Sequence, residues 1–340
     1  MTGWPPGWLS LPVAFILATV LTPLLRRWLL RFNLVDLPGE RRSHTAPTPR
    51  GGGLAIAMAF LIAVLLAGDP LWWPGVFAVS VLAMLGWLDD RAELHPAVRL
   101  AVQSAVAVLG LWWLGPVATV VVLDYSLHWP WLWTPLAGLA VVWLINLHNF
   151  MDGSDGLAAM QGAWSGLSFA VIMLMNDLTG PASFALAMAG GFAGFLVWNR
   201  PPARIFMGDV GSMVLGGGVA MLALVGAASG AVSVWVSLIL TSVFVVDATA
   251  TLALRVSRGE RWYTAHRQHA YQRLIVAGSS HGQVLALYAA TNLLLVMPAA
   301  WAAVVYPGLG AGIAIGLIVL LAGGWWVIQS ATVTENQGHE

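Results

Sequence analysis

Long apolar runs separated by short polar gaps make up most of this 340-residue chain, and positive charge falls only in every second gap. All 15 basic residues are arginine, whereas the other gaps contain Asp69, Asp124 and Asp177 but no arginine. In membrane proteins, basic residues concentrate in the loops on the cytoplasmic side. The pattern therefore predicts a polytopic membrane protein whose arginine-containing loops are cytoplasmic.

Composition supports this fold class. Hydrophobic residues make up 59% and charged residues 9%, against about 25% charged in soluble domains. A spanning helix needs about 20 mostly apolar residues. We predict one all-α membrane domain, residues 1–340, with about eleven spanning helices. Their approximate bounds are 8–28, 51–68, 71–88, 97–114, 131–148, 156–175, 181–198, 210–228, 231–254, 282–305 and 307–329.

The first apolar run has no basic residue before it, and Arg26, Arg27 and Arg31 follow it. A cleavable signal peptide has the opposite order, so we expect a retained span with the N-terminus outside and the C-terminus in the cytoplasm. The β-branched run 117–123 is too short to span, and we expect it to pair as a small strand or lie at the interface. The chain contains no cysteine, which excludes disulfides and Cys-based metal sites. Its zero net charge suggests no nucleic-acid partner.

The loop 31–50 is basic and leads into three glycines that open an apolar run. Arg41, Arg42, His44 and Arg50 supply its positive charge. Glycines at a helix start let backbone N–H groups approach a phosphate at the positive end of the helix. An ordinary cytoplasmic loop with a glycine turn explains the same residues.

Two adjacent carboxylates, Asp89 and Asp90, end the third predicted span, and Glu93 follows them. Carboxylates at the end of a membrane helix are costly to desolvate and usually contact a metal, a proton or a substrate. An exposed acidic loop is the alternative. Further carboxylates in two later cytoplasmic loops favour the functional interpretation.

The string INLHNFMDGSDGLA carries Asn146, Asn149, Asp152 and Asp155 at intervals of three residues. Residues three apart share one face of a helix, so Asn149 and Asp152 are predicted to point into a common site. Asparagine, aspartate and glycine also form caps and turns. The regular spacing favours a site.

The segment NRPPARIFMGDVGS places Asn199, Arg200, Arg204, Phe206 and Asp209 before another predicted span. A carboxylate at a helix N-terminus is also a favourable cap, so Asp209 taken alone has a structural explanation. Phe206, taken alone, is explained as an aromatic residue at the membrane interface.

The loop 255–281 is the longest cytoplasmic one and carries five arginines together with His266 and His269. Two histidines are too few for a zinc site without a third ligand, and phosphate binding is the better interpretation. Asp247, inside the preceding apolar run, is predicted to face the bundle interior, either as a structural partner or as part of the site. The five arginines are Arg255, Arg258, Arg261, Arg267 and Arg273.

Together these loops place at least five carboxylates, several amides and many arginines on one membrane face. Carboxylates without thiolates suit a hard cation such as Mg²⁺, which takes few protein carboxylates and completes its shell with water and substrate phosphates. Arginines supply the remainder of a pyrophosphate site. This chemistry indicates phosphoryl or phosphosugar transfer at the membrane surface with one lipidic substrate.

Four strings stand in this order between the spans: GWLDDRAEL, INLHNFMDGSDGLA, NRPPARIFMGDVGS and AHRQHAYQR. Together they resemble the motifs of the polyprenyl-phosphate N-acetylhexosamine-1-phosphate transferases of glycosyltransferase family 4. The resemblance covers about residues 31–281. It implies an enzyme of the bacterial cytoplasmic membrane with a cytoplasmic active site. Its substrates would be undecaprenyl phosphate and a UDP-N-acetylhexosamine such as the GlcNAc or FucNAc form, and its cofactor Mg²⁺, with Mn²⁺ as a substitute. The oligomeric state, including a homodimer, stays open.

The resemblance also implies residue roles. Asp89 and Asp90 match the aspartate pair that handles metal and lipid phosphate, and Asp209 matches the Mg²⁺ ligand together with Asp89. Asp89, Asp90, Asp152 and Asp155 are assigned to catalysis. The substrate contacts are assigned to Asn149 in the nucleotide-sugar loop, Phe206 as a ring stacking on uracil, Asn199 nearby, and Arg50, Arg204, His266, Arg267, His269 and Arg273.

One motif departs from the commoner members. The peptidoglycan enzyme of the family has three consecutive histidines, whereas this chain reads HRQHAYQR, which is most similar to the O-antigen-initiating branch. Lysine is absent from the chain, so arginine must serve wherever the family uses lysine. The departure favours initiation of an envelope polysaccharide over peptidoglycan synthesis and leaves the sugar open.

The implied reaction is attack of the polyprenyl phosphate on the β-phosphate of the UDP-sugar, releasing UMP. A phosphate monoester has a second pKa near 6, so it needs little general-base help at neutral pH. Direct attack is therefore favoured over a covalent phospho-aspartate. A transporter of an anionic or sugar substrate is the alternative from another class, although transporter sites lie near the bilayer midplane. A scaffold for envelope proteins would not explain the motif spacing.

Overall fold

A computed structural model describes residues 7–32, 34–36, 48–68, 73–123, 125–261, 264 and 266–337. The predicted basic residues Arg41, Arg42 and His44 lie outside these ranges, and so do the first residues of the span predicted at 71–88.

Helices make up most of the described chain. Their bounds are α1 Ser10–Arg31, α2 Gly53–Ala67, α3 Trp73–Ala92, α4 Pro96–Leu114, α5 Pro130–Phe150, α6 Leu157–Met175, α7 Thr179–Asn199, α8 Gly208–Ser229, α9 Val234–Ser257, α10 Ala270–Val276, α11 His281–Thr291, α12 Met297–Val305 and α13 Gly310–Gln337. A π-helical turn, Asn292–Val296, joins α11 to α12 without interrupting the rod.

Nine helices within the described ranges are long and apolar enough to cross a membrane. This confirms the prediction of an all-α polytopic membrane protein. The 15-residue α2 and the 20-residue α3 occupy two more of the predicted spans. The count of about eleven spans stays a prediction, because helix α2 is short and α3 ends in charged residues.

The most buried helix is α8, which packs against α2, α3, α5 and α7. Its interior consists of small and aliphatic residues, and these let neighbouring backbones approach closely, as in other membrane bundles. Large apolar side chains on the outer helices, such as Leu139, Leu294 and Val319, are exposed. Small residues thus line the close helix contacts of α8, while many large apolar side chains of the outer helices are left for lipid.

Two small antiparallel hairpins connect helices. Thr119–Val122 (β3) pairs with Tyr125–His128 (β4), which confirms that the run 117–123 contributes a short strand rather than a span. Val35–Asp36 (β1) pairs with Thr48–Pro49 (β2) at the opposite end of the bundle. The next residue, Arg50, bridges in parallel to Phe206, so the glycine-rich start of α2 is fixed beside the start of α8.

Candidate active site

The ends of α3 and α5, the start of α8 and the residue after β2 meet at one end of the bundle. They bring Asp90, Asn149, Asp209 and Arg50 into direct contact, although these residues are up to 159 positions apart in sequence. The predicted motifs from separate loops therefore share one site.

Arg50 lies at the centre of the site. Its Nε is 3.0 Å from Asp90 Oδ1, and its Nη2 is 3.0 Å from Asp209 Oδ1. The backbone around it is tied down, because Phe206 N donates to Pro49 O and Phe206 O accepts from the N–H groups of Gly51 and Gly52. The Arg50 side chain is 41% exposed, and its guanidinium is thus held between two carboxylates at the edge of the bundle.

Asp90 caps helix α8. Its two carboxylate oxygens accept from the backbone N–H groups of Asp209, at 3.0 Å, and Val210, at 3.3 Å. Gly208 adopts φ +75°, and a Cβ there would lie 2.7 Å from an Asp90 oxygen. Only glycine both adopts this conformation readily and leaves room for the carboxylate, so Gly208 permits the close approach of α3 to α8.

Asn149 and Asp152 both reach the start of α8, as their spacing predicted. Asn149 Nδ2 donates to Asp209 Oδ1 and to Ser212 Oγ, each at 2.9 Å. Asp152 accepts a hydrogen bond from the Gly208 N–H. Burial raises the pKa of the Asp152 carboxyl well above its usual range, Arg50 opposes that rise, and the Asp209 and Asp90 carboxylates add to it.

Asp89 differs from its neighbour Asp90. Its side chain is 3% exposed, and its oxygens accept from Leu94 N and Arg99 Nη1, both at 2.8 Å. The carboxylate still interacts with Asp209 across the site. Arg99 is not among the residues predicted for the site, although its position at the very start of the predicted span 97–114, close to Asp89 and Asp90, is a signal that could have identified it.

Asp155 and Asn199 hold two loops together. Asp155 Oδ2 accepts from Ala203 N at 2.9 Å, while Asn199 accepts from Gly156 N and donates to Ile205 O. His281, which sequence reasoning missed, accepts from Asp155 N and bonds Ser154 Oγ. These contacts fix the turn after α5 to the loop before α8. Both the oxygen and the NH₂ group of the buried Asn199 amide are hydrogen-bonded within the protein.

The glycines Gly51, Gly52 and Gly53 donate their N–H groups to the carbonyl oxygens of Phe206 and Met207. The predicted phosphate cradle is therefore already occupied by protein carbonyls, and the glycines serve the packing of α2 against the loop before α8. In that loop, Phe206 is half-buried. Arg204 is exposed, with its Cζ 5.7 Å from the Trp198 ring.

The histidine-containing loop is shorter than predicted, because α10 occupies Ala270–Val276. His269 is 3% exposed and stacks on Phe150 and Tyr271, so its ring lies in the packed interior. His266 is half-buried. Burial, followed by the positive influence of His269 and Arg255, lowers its pKa to about 4.

Arg267 and Arg273 lie on either side of the start of α10. Arg267 is near enough to Tyr271 to act on it electrostatically, and its buried Nη2 has no hydrogen-bond partner among the described residues. Arg273 is half-buried and lies near Arg258. A phosphate group could supply the partner that Arg267 Nη2 lacks in the described part of the chain.

The donor set fits a hard divalent cation. Asp90 and Asp209 both contact Arg50, whereas Asp89, the other predicted metal ligand, is paired with Arg99. Mg²⁺ commonly uses one or two carboxylates with substrate phosphates completing its shell. Among the described residues, no group of three or more acidic or histidine side chains is placed so as to enclose a metal ion. The site therefore suits a cation shared with a phosphorylated substrate rather than one held by protein alone.

Comparison with known proteins identifies the family. The profile of Glycosyl transferase family 4 matches residues 72–227, which contain all three carboxylate motifs of the site. A phospho-N-acetylmuramoyl-pentapeptide-transferase of Synechococcus elongatus is 34% identical over 85% of this chain and 85% of its own length.

Two further relatives carry other names. A probable undecaprenyl-phosphate N-acetylglucosaminyl 1-phosphate transferase of Bacillus subtilis is 29% identical over 81% of this chain and 79% of its own. A decaprenyl-phosphate N-acetylglucosaminephosphotransferase of Mycolicibacterium smegmatis is 32% identical over 82% of this chain and 78% of its own. Together with the spanning helices and the shared carboxylate site, these matches show that the chain belongs to Glycosyl transferase family 4 and is a membrane phosphotransferase of that family.

Proposed function

We propose that the protein transfers N-acetylhexosamine 1-phosphate from a UDP-sugar to undecaprenyl phosphate. The reaction releases UMP and initiates an O-antigen or related envelope polysaccharide at the cytoplasmic face of the inner membrane. The observation that carries the proposal is the cluster of Asp90, Asp152 and Asp209 around Arg50 at one end of the bundle. The names of the relatives, which act on polyprenyl phosphates, support it.

In the proposed reaction, an oxygen of the acceptor phosphate forms a bond to the β-phosphorus of the UDP-sugar. The bond from that phosphorus to the oxygen bridging the α-phosphate breaks, and UMP leaves with the electron pair. Arg50 and Arg267 bind the phosphate groups, while Asn149 orients Asp209. A bound Mg²⁺ would neutralise charge that develops on the pyrophosphate.

Direct attack by the acceptor phosphate suits the site better than a phospho-aspartate intermediate. Both oxygens of Asp90 accept backbone N–H groups and one also contacts Arg50, so little nucleophilic electron density is left on them. The raised pKa of Asp152 favours its protonated form, which is a poor nucleophile. The acceptor phosphate is itself mostly dianionic at neutral pH.

The sugar is tested by incubating the purified protein in detergent with undecaprenyl phosphate, Mg²⁺ and one labelled donor at a time. The donors are UDP-GlcNAc, UDP-FucNAc and UDP-MurNAc-pentapeptide, and both UMP and the labelled lipid are measured. We expect transfer from one of the first two. Transfer from UDP-MurNAc-pentapeptide alone would assign the protein to peptidoglycan synthesis. In a parallel assay with the protein in proteoliposomes, uptake of a labelled UDP-sugar without transfer would support the transporter alternative.

The proposed orientation is tested with single cysteines in the naturally cysteine-free chain. Arg258, after α9, lies on the active-site end, whereas Tyr125, in the hairpin before α5, lies on the opposite end and is 75% exposed. In intact cells, a membrane-impermeant maleimide should label Tyr125→Cys but label Arg258→Cys only after lysis. Labelling of Arg258→Cys in intact cells would reverse the topology.

We propose that sugar selection involves His266, in the loop between α9 and α10. His269 and Tyr271 are buried in the interior, whereas His266 is partly exposed. Because its pKa lies near 4, His266 is neutral at pH 6–8 and selects through hydrogen bonds rather than charge.

Replacing His266 with asparagine should therefore change the ratio of kcat/KM between two accepted UDP-sugars by about tenfold. The shape of the pH profile between pH 6 and 8 should stay the same. An unchanged ratio, or the loss of an ionisation near pH 6.5, would contradict this role.

A further inference from the structure

Asp247, in the middle of the apolar helix α9, is 3% exposed and therefore faces the bundle interior, as predicted. Its carboxylate accepts four hydrogen bonds from three elements. The donors are Ala270 N at 2.7 Å and Tyr271 N at 3.3 Å in α10, Tyr288 Oη at 2.6 Å in α11, and Thr251 Oγ1 at 3.3 Å in α9 itself. His269 Nδ1 lies 3.7 Å away.

A buried carboxylate is retained in a membrane bundle only where donors compensate its desolvation. Here two of the donors are the free N–H groups at the start of α10, which no residue within that short helix can satisfy. Asp247 therefore fixes the start of α10 to α9 and α11.

Helix α10 in turn contacts the catalytic turn after α5. Tyr271, 1% exposed, donates from its hydroxyl to Phe150 O at 3.0 Å. That hydroxyl also fills the space where a side chain at Gly153 would lie. Phe150 and Gly153 stand on either side of Asp152 in the sequence. The Tyr271 side chain therefore packs directly against the turn that carries Asp152.

We infer that Asp247 is a positioning residue for the transfer reaction. It fixes α10, and Tyr271 of α10 holds the turn that aims Asp152 at Arg50 and the start of α8. The inference rests on the proposed function for its kinetic consequence, but the mechanical connection is a property of the fold. A misplacement of about 1 Å at a reacting group can lower a rate about a hundredfold.

The test compares Asp247→Asn and Tyr271→Phe in the full-length protein by hydrogen–deuterium exchange and by kinetics. Asp247→Asn should speed amide exchange in both 270–276 and 152–156. Tyr271→Phe removes only the hydroxyl and should speed exchange in 152–156 while α10 stays capped. Each variant should lower kcat by ten- to a hundredfold with KM for both substrates within about threefold, and the double variant should be no worse than the poorer single variant.

Asn292→Leu is the matched control. Asn292 is equally buried and donates to Gln161 Oε1 at 2.8 Å, joining the π-helical turn after α11 to α6; neither of its described side-chain hydrogen bonds reaches α10. It should alter thermal stability but neither exchange in 152–156 nor kcat. Unchanged exchange in 152–156 for Asp247→Asn, or the same kinetic loss in Asn292→Leu, overturns the inference. Inactivity of the parent with every UDP-sugar would instead refute the proposed function, and the exchange measurement would still decide the connection.

Discussion

Replacing Asp209 with asparagine should lower turnover about 10²- to 10³-fold while the protein stays folded. The carboxylate receives Arg50 and Asn149 at one oxygen and interacts with Asp89, so it is the point where the motifs of α3, α5 and β2 meet. Asparagine keeps the size and a hydrogen-bond acceptor but loses the charge that a divalent cation or Arg50 requires. The measurement is release of UMP under saturating substrates, with thermal unfolding as the check on folding.

Glu93→Gln is a suitable control, because it removes an exposed carboxylate from the loop beside the site. It should keep turnover within about twofold of the parent, as expected for a surface substitution.

The same site predicts that excess EDTA abolishes activity and that Mg²⁺ or Mn²⁺ restores it. Full activity in EDTA, or an Asp209→Asn variant as fast as Glu93→Gln, would be incompatible with a cation-dependent role for Asp209.

Much of the architecture could be predicted because membrane insertion imposes strong rules on sequence. Apolar runs long enough to span, with arginine in alternate gaps, indicated the helices, and the asymmetry placed the polar motifs on one side. The spacing of Asn149 and Asp152 also carried information, because residues three apart on a helix end face the same direction. Both side chains do reach the start of α8.

The sequence could not predict which of several similar residues would make which contacts. Asp89 and Asp90 are adjacent, yet one pairs with Arg99 inside the bundle and the other caps α8 beside Arg50. The difference depends on the rotation of α3 against α8, which no local pattern encodes. His269 likewise looked available in a polar loop, whereas it lies buried in the interior, 3.7 Å from Asp247. Long-range contacts of this kind are set by packing rather than by spacing.

Replacing Arg50 with alanine should lower kcat/KM about a hundredfold. Among the described residues, Arg50 is the only cationic side chain that contacts both Asp90 and Asp209, and the substitution removes it.

The stability of the Arg50→Ala variant should also change with pH in a defined direction. Arg50 opposes the burial that raises the pKa of Asp152, so removing Arg50 raises that pKa further. The folded variant then binds more protons than the folded parent over the pH range in which Asp152 titrates, and its stability relative to the parent should increase as pH falls through that range.

Arg50→Lys distinguishes charge from geometry. An ammonium is a single point charge and cannot reach two carboxylates with the planar fork of a guanidinium, so lysine should restore the pH dependence of stability but only part of kcat/KM. Arg91→Ala serves as the matched control: Arg91 is exposed on the same end of the bundle and stacks 3.9 Å from the Trp87 ring. If Arg50→Ala and Arg91→Ala retain equal kcat/KM, Arg50 contributes to neither substrate binding nor the charge balance of the site. If lysine restores full activity, the bidentate bridge between Asp90 and Asp209 is irrelevant to the reaction.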